Sequence, residues 1–165
     1  MLDLLKEAEQ ALPKLLQDTS RWQSLYIDYH PPYVERLWCS WQDIRIQLHK
    51  IHPCSPGEAL FHPHPWPSAM LIVAGHYEMA FGFGSGDQAP PFASRMLAGP
   101  GFRYEMTHQD SWHFVRPIDD FVYTIMLTGK PWKRSSPKPS APLSELDEQQ
   151  REELFAFFRK AYPLY

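Results

Sequence analysis

Apolar side chains at Leu2, Leu5, Ala8 and Leu12 recur at helical spacing and predict a helix over residues 2–12, which Pro13 ends or kinks. The following "KLLQDTSRWQSLYI" is compatible with a second short helix. Then the period changes. After a "YHPPY" turn, "RLWCSWQDIRIQLHKIH" sets Ile44, Ile46 and Leu48 against Arg45, Gln47 and His49, which is strand alternation. "PCSPGEA" is a turn with a Pro56-Gly57 pair. "SAMLIVAG" predicts a buried strand and "HYEMAFGFG" its partner, with "SGDQAPP" as loop. "SRML" and "FRYEMT" flank the turn "AGPG". "SWHFVRP" and "FVYTIMLTG" are two more strands, joined at a turn containing Asp119 and Asp120. About seven or eight short strands at regular spacing predict a sandwich or barrel.

Past residue 130 the pattern breaks. "KPWKRSSPKPSAPLS" is rich in Pro, Ser and Lys and predicts an extended connector. Ser144 is placed to cap a final helix, with Glu145 and Asp147 in its first turn. Leu154, Phe157, Phe158 and Ala161 form an apolar stripe that docks on the barrel or on a second subunit. The expected organisation is a helical segment over 1–32, a β-barrel over 33–130, the connector over 131–143 and a helix over 144–165.

Composition narrows the function classes. A 165-residue chain with 44% hydrophobic residues favours one domain with its own core. Seventeen prolines and 15% aromatic residues suit stiff turns between short strands. A net charge of −3 argues against nucleic acid as the partner. No apolar run approaches the roughly 20 residues of a membrane span. The acidic "MLDLLKEAEQ" start is unlike a secretory signal, so a soluble cytoplasmic protein is expected, with no membrane partner. Cys39 and Cys54 form no C-x-x-C motif and read as two reduced thiols, with Cys54 near enough in sequence to His62 to wall a site.

The chemistry lies in the histidines. All eight fall between His30 and His113. In extended backbone, residues i and i+2 share a side, so His62 and His64 can present two imidazoles to one point. Pro63 and Pro65 restrict the backbone around them. A surface Pro-His turn that binds nothing is the alternative for this tripeptide alone.

His113 lies in a second strand-like run after a Pro-Gly turn. Together these stretches resemble the cupin superfamily. His62 and His64 match its H-x-H, Gly75 the glycine that closes the first motif, Gly101 the glycine that leads the second, and His113 the second-motif histidine. The resemblance covers roughly residues 41–129. "HPHPWPSAMLIVAGHYE" and "WHFVRPIDDFVYTIMLTG" look like a group of small bacterial cupins with an H-x-H-P-W signature.

The chain departs from the common pattern twice. Ser68 stands where the motif has a glutamate ligand, and "HQDSWH" replaces the P-x-G-x-x-H of the second motif. The resemblance therefore implies a cupin-type jelly-roll barrel, a double-stranded β-helix with flanking helices, around a three-histidine metal site: His62, His64 and His113. Such a triad is similar to the iron site of thiol and β-diketone dioxygenases. The implied cofactor is a divalent ion, Fe(II) first, with Zn, Ni, Mn and Cu also accepted by three imidazoles. The cysteine–tyrosine cross-link of some thiol dioxygenases has no match, since Ala69 and Lys130 occupy those places.

Other candidates surround this set. His108 is the rival third ligand, although its odd separation from His113 faces it the other way in a continuous strand. His49, His52 and His76 read as supporting or surface residues. Arg45, Gln47 and His49 share a face; turned inward, Arg45 would hold a substrate carboxylate, and turned outward all three are polar surface while the isoleucines fill the core. Tyr123, a phenol in an apolar run, is the second catalytic candidate beside Arg45, and Arg103 is of the same kind. Trp66 and Tyr104 complete the expected pocket. The "GFGSG" run lacks the lysine and helix of a phosphate loop.

The expected function is a metal-dependent dioxygenase for a small organic substrate that chelates the ion. A non-catalytic sensor or binding cupin, and a metal-dependent isomerase or lyase, are the alternatives. A homodimer is expected from the apolar stripes of the terminal helices.

Overall fold

The computed structural model describes residues 1–118 and 120–164. Asp119, half of the expected Asp119-Asp120 turn, lies outside the described residues.

Alternation within the strands decides the architecture. In β2 (Val34–Trp41) and β3 (Ile44–Ile51), Leu37, Cys39, Ile46 and Leu48 point to one side. Arg36, Trp38, Gln47 and His49 point to the other. In β5 (Ser68–Ala74) and β10 (Val122–Thr128) the split is Ala69, Leu71, Ile125 and Leu127 against Met70, Ile72, Thr124 and Met126. With β1 (Gln23–Ile27) and β8 (Arg103–Met106) these strands form one six-stranded sheet, ordered β1-β2-β3-β10-β5-β8. A four-stranded sheet, β4 (His62–Pro63), β9 (Ser111–Pro117), β6 (Tyr77–Phe83) and β7 (Phe92–Ala98), lies against its inner side. All strand pairings are antiparallel.

The six-stranded sheet is therefore covered on both faces. Its outer face packs on helices α1 (Leu2–Leu15) and α2 (Glu148–Ala161), through Leu5, Leu12, Leu154, Phe155 and Phe158, all fully buried. Each such side chain contributes about 1.5–3 kcal/mol through removal from water. Its inner face and the smaller sheet enclose a second core of Met70, Ile72, Tyr77, Met79 and Met106, which gives way to a cavity. Lys50 and His52 also reach the buried Glu35, and Lys50 Nζ lies 3.3 Å from Glu153 of α2, tying that helix to the sheet.

Four local expectations are corrected. Pro13 does not end α1: the buried stripe of Leu12, Leu15 and Leu16 carries the chain on past it, at the cost of the hydrogen bond that a Pro13 N–H would have made to the preceding turn. The expected second helix is a 3-10 turn, Thr19–Arg21, followed by β1. Asp18 turns the chain there by accepting from the Ser20 amide and hydroxyl, a side-chain alternative to helical bonding. The cap of α2 is Asp147, not Ser144; its carboxylate accepts from Gln150 N at 2.8 Å while Gln150 Oε1 accepts from Asp147 N. Finally, the α2 stripe uses Phe155 in place of Ala161, which is exposed.

Gly75 links β5 to β6 at φ +82, and a Cβ there would come within 2.6 Å of Phe121 O. No helix among the described residues is long and apolar enough to cross a membrane.

Replacing Phe158 with Ala is expected to cost about 3–5 kcal/mol, the range for deleting a buried aromatic ring. Urea unfolding of Phe158→Ala beside the parent chain measures this, and an unchanged midpoint would contradict a helix-covered sheet.

Candidate metal centre

The H-x-H segment forms one of the shortest strands. β4 is two residues long and places His62 directly opposite His113 on β9. Pro63 fixes φ between the two histidines, and Trp132 from the connector donates its Nε1–H to His64 O at 3.0 Å. The three ring centroids are separated by 5.3 Å (His62–His64), 5.2 Å (His62–His113) and 4.5 Å (His64–His113). One ligand nitrogen from each ring lies within 4.8 Å of the others. His64 and His113 approach Nε2 to Nε2 at 2.9 Å.

The opposite nitrogen of every ring has its own neighbour. His62 Nδ1 lies 2.9 Å from Leu60 O, His64 Nδ1 is 3.0 Å from Ser68 Oγ, and His113 Nδ1 is 3.3 Å from Tyr104 Oη. Tyr77 donates its hydroxyl to Tyr104 at 3.3 Å. A carbonyl can only accept, so His62 carries its proton on Nδ1 and leaves Nε2 free. Metal-binding histidines are oriented in this way by a partner on the second nitrogen. Burial pushes His62 down to about 4, and holds His64 and His113 well below the usual histidine range, with neighbouring histidine charge adding to the effect. All three are neutral near pH 7, the form that binds metal. The donor set and its supports thus fit a divalent ion.

Ser68, fully buried, holds His64 in place. Where the resemblance would place an acid, this chain has a hydroxyl that contacts the His64 ring.

A cavity of about 200 Å³ opens beside the triad. Val34, Ile51, Met70, Val115 and Met126 give it apolar walls, and His30, Arg36, His49, Trp66, Tyr77 and Tyr104 add polar groups. Ser136, Pro137, Pro139 and Leu143 of the connector also line it. Arg134 anchors the same connector to Gly84 O, Ser85 O and Gly86 O, so the Pro-rich segment lies along the barrel as part of the pocket wall. A second cavity of about 420 Å³ adjoins the first at Arg36 and Trp66 and contains Trp38, Arg45 and Gln47.

The structure separates the remaining candidates. Tyr104, His49 and Trp66 line the inner cavity, and Gln47 lines the outer one. Arg45 is displaced from the triad: β3 runs out to the barrel rim there, and the guanidinium sits over the Trp38 ring, 4.6 Å from its centroid. Tyr123 is turned away from the cavity. It shares the outer face of β10 with Ile125 and Leu127 and stacks on Phe157 of α2 at 3.6 Å. His108 lies in the loop between β8 and β9, exposed and against Phe83, so strand parity never applied to it. Arg103 pairs with Glu9 of α1. His52 contacts Glu35, and His76 is exposed beside Gly99.

Arg36, His30 and Tyr77 are among the cavity residues that the sequence reading missed. A signal for Arg36 existed: Leu37 and Cys39 alternate with Arg36 and Trp38 as Ile46 and Leu48 do with Gln47 and His49.

No protein-family model matches the chain, and no curated protein matches it. Among solved structures, hydroxypropylphosphonic acid epoxidase from S. wedmorenis superposes with a TM-score of 0.52 at 14% identity, over 68% of this chain and 57% of that one. This chain has the cupin fold. KdgF from Halomonas sp. gives a TM-score of 0.47 at 14% identity over 64% of this chain and 87% of its own, too low to add to the argument. The cupin barrel described here spans just over half of the epoxidase's length, and at this identity the likeness is one of fold.

Within this cupin barrel, Ser68→Ala is expected to weaken metal affinity about 10–100-fold, the usual cost of losing a ligand's supporting partner. Competition against a chromogenic chelator measures it. Unchanged affinity would mean that Ser68 does not orient His64.

Proposed function

We propose that the protein is a mononuclear metal-dependent cupin enzyme that oxygenates a small organic substrate able to chelate the ion. The observation that carries this reading is the pairing of three Nδ1 supports with three imidazoles that converge on one point beside a largely apolar cavity. His62, His64 and His113 would hold the ion. Bound there, iron(II) would supply Lewis acidity and one-electron chemistry toward O2, which organic side chains lack. Three protein ligands leave positions open for substrate, as catalytic sites require.

The chain's own contribution is orientation and dryness. Leu60 O, Ser68 Oγ and Tyr104 Oη keep the three rings from rotating. The connector and the apolar walls limit water, which strengthens polar interactions inside the cavity. Burial, with Tyr77 adding to it, raises Tyr104 well above the usual phenol range, so its hydroxyl stays protonated beside His113.

A second reading, a non-catalytic binding cupin or a metal-dependent isomerase or lyase, draws support from the absence of any carboxylate lining the inner cavity among the described residues. An acid–base reaction would have to rely on histidine or tyrosine there. The free thiols Cys39 and Cys54 support a cytoplasmic setting. We also propose a homodimer, though not through the helical stripes, which are spent on the sheet. Phe92 and Leu97, exposed together on the outer face of β7, supply the face.

Elemental analysis of protein purified without a histidine tag, beside His62→Ala, tests the centre. Near-stoichiometric transition metal lost in the variant is expected; equal metal in both would sink the assignment. Oxygen uptake by the iron-loaded protein across a panel of chelating substrates then separates the two readings, since an isomerase, lyase or sensor consumes none. For the dimer, a monomeric mass in solution at micromolar concentration would count against it.

A further inference from the structure

The inner cavity contains a cation that the metal centre does not use. Arg36 lies on the inner face of β2, directly opposite His49 of β3, which lies opposite Thr124 of β10. These three residues form a row across adjacent strands. Arg36 Nε donates to His49 Nε2 at 3.0 Å. Because a guanidinium can only donate, His49 Nε2 must accept. The His49 proton therefore sits on Nδ1, which donates to Thr124 Oγ1 at 3.2 Å. The row fixes the plane of the guanidinium through one of its three nitrogens.

The two terminal amino groups are left over. Among the described residues Arg36 makes no ion pair, and its only side-chain hydrogen bond is the one to His49. Among the described residues no Asp or Glu lines the inner cavity. Burial lowers the guanidinium to about 10, opposed by Tyr29 and reinforced by Arg45, and this still leaves it charged near pH 7. A partly buried cation held by neutral groups alone is an unbalanced charge, and structures rarely keep one without a partner. By contrast Arg95, Arg103 and Arg116 all pair with glutamates.

We propose that Arg36 is the anchor for the carboxylate of the substrate, which is a small organic acid with an apolar body. The inference rests on the reading of the histidine cavity as the substrate site, and it names the class of molecule taken there. The planar fork of two free amino groups matches a carboxylate bidentately. The apolar walls from Val34, Ile51, Met70 and Met126 select the body. The place of Arg36 adds a further consequence, because it and Trp66 belong to both cavities. A carboxylate on Arg36 stands at their junction, with room for one end of the acid toward the histidines and the other in the outer chamber. Trp66 Nε1 at that junction and Gln47 Oε1 beside the outer chamber are buried without a hydrogen-bond partner among the described residues, so the wall around Arg36 supplies it with no counter-charge.

Benzoate and its neutral isostere benzamide test this by calorimetric titration of the metal-free protein. Benzoate is expected to bind about tenfold or more tighter than benzamide, the factor that a charge-assisted hydrogen-bond pair gives. Arg36→Met keeps the stem and should abolish that preference, while Arg36→Lys retains part of it. Equal binding of the two probes by the parent chain overturns the proposal. So does undiminished benzoate binding by a folded Arg36→Met, or no benzoate binding at all. If Arg36→Met does not fold, the parent-chain comparison decides alone. Metal content, measured separately on the same preparations, distinguishes failure of the metal centre from failure of the anchor.

Discussion

The six-stranded sheet buries both of its faces, and the rest of the molecule follows from that. A sheet with one covered face places its apolar side chains toward the only core available. Here the two terminal helices offer a second apolar surface, and Leu37, Ile46, Leu48, Ile125 and Leu127 turn outward to meet it. The side facing the barrel interior is thereby free to carry Arg36, Gln47, His49 and Thr124, groups that a conventional core would exclude. Buried polar groups are tolerated only when bonded, and most of these bond across the strands to one another. The helices stabilise the fold, and they also release the barrel's inner face for chemistry.

The histidine trio depends on the same logic at shorter range. A two-residue strand has little intrinsic stability. His62 and His64 hold position because proline restricts their backbone, a register pair sets His62 against His113, and Trp132 clamps His64 from outside the barrel. The supports on the three Nδ1 atoms come from unrelated places: a carbonyl two residues upstream, a serine on β5 and a phenol on β8.

How much of this was legible in the sequence depended on how local each cause was. The apolar run "SAMLIVAG" and the stretch "SWHFVRP" map onto β5 and β9, because a short apolar run between turn residues is a local property of the strand itself. The H-x-H spacing and the late His113 identified three residues that the fold does bring together. What sequence reasoning could not rank was the direction of a face. The isoleucines of β3 read as core, and they are, but that core is shared with helices rather than with the barrel. This one inversion explains why Tyr123 faces α2. It also explains why Gln47 and His49, which read equally well as surface, are buried. The role of Ser68 was hidden for a related reason: its importance lies in what it touches across a loop, and a position that departs from a motif reads as a loss. Arg45 and Arg36 show the limit most directly. Both alternate with apolar neighbours, yet Arg36 lines both cavities and Arg45 only the outer one.

The connector that follows the barrel closes the pocket wall with Pro137, Pro139 and Leu143 while Trp132 grips the backbone of His64. The cavity is thus bounded by residues from Ile27 to Leu143, and its walls are a property of nearly the whole polypeptide. Contacts of such long sequence separation form late in folding, since loop-closure entropy opposes them until both partners are positioned. During synthesis, His62, His64 and His113 all emerge before the segment that encloses them. The strand between β3 and β5 is β10, so the sheet behind the trio is complete only after residues 122–128, and the pocket wall only after the connector packs on it.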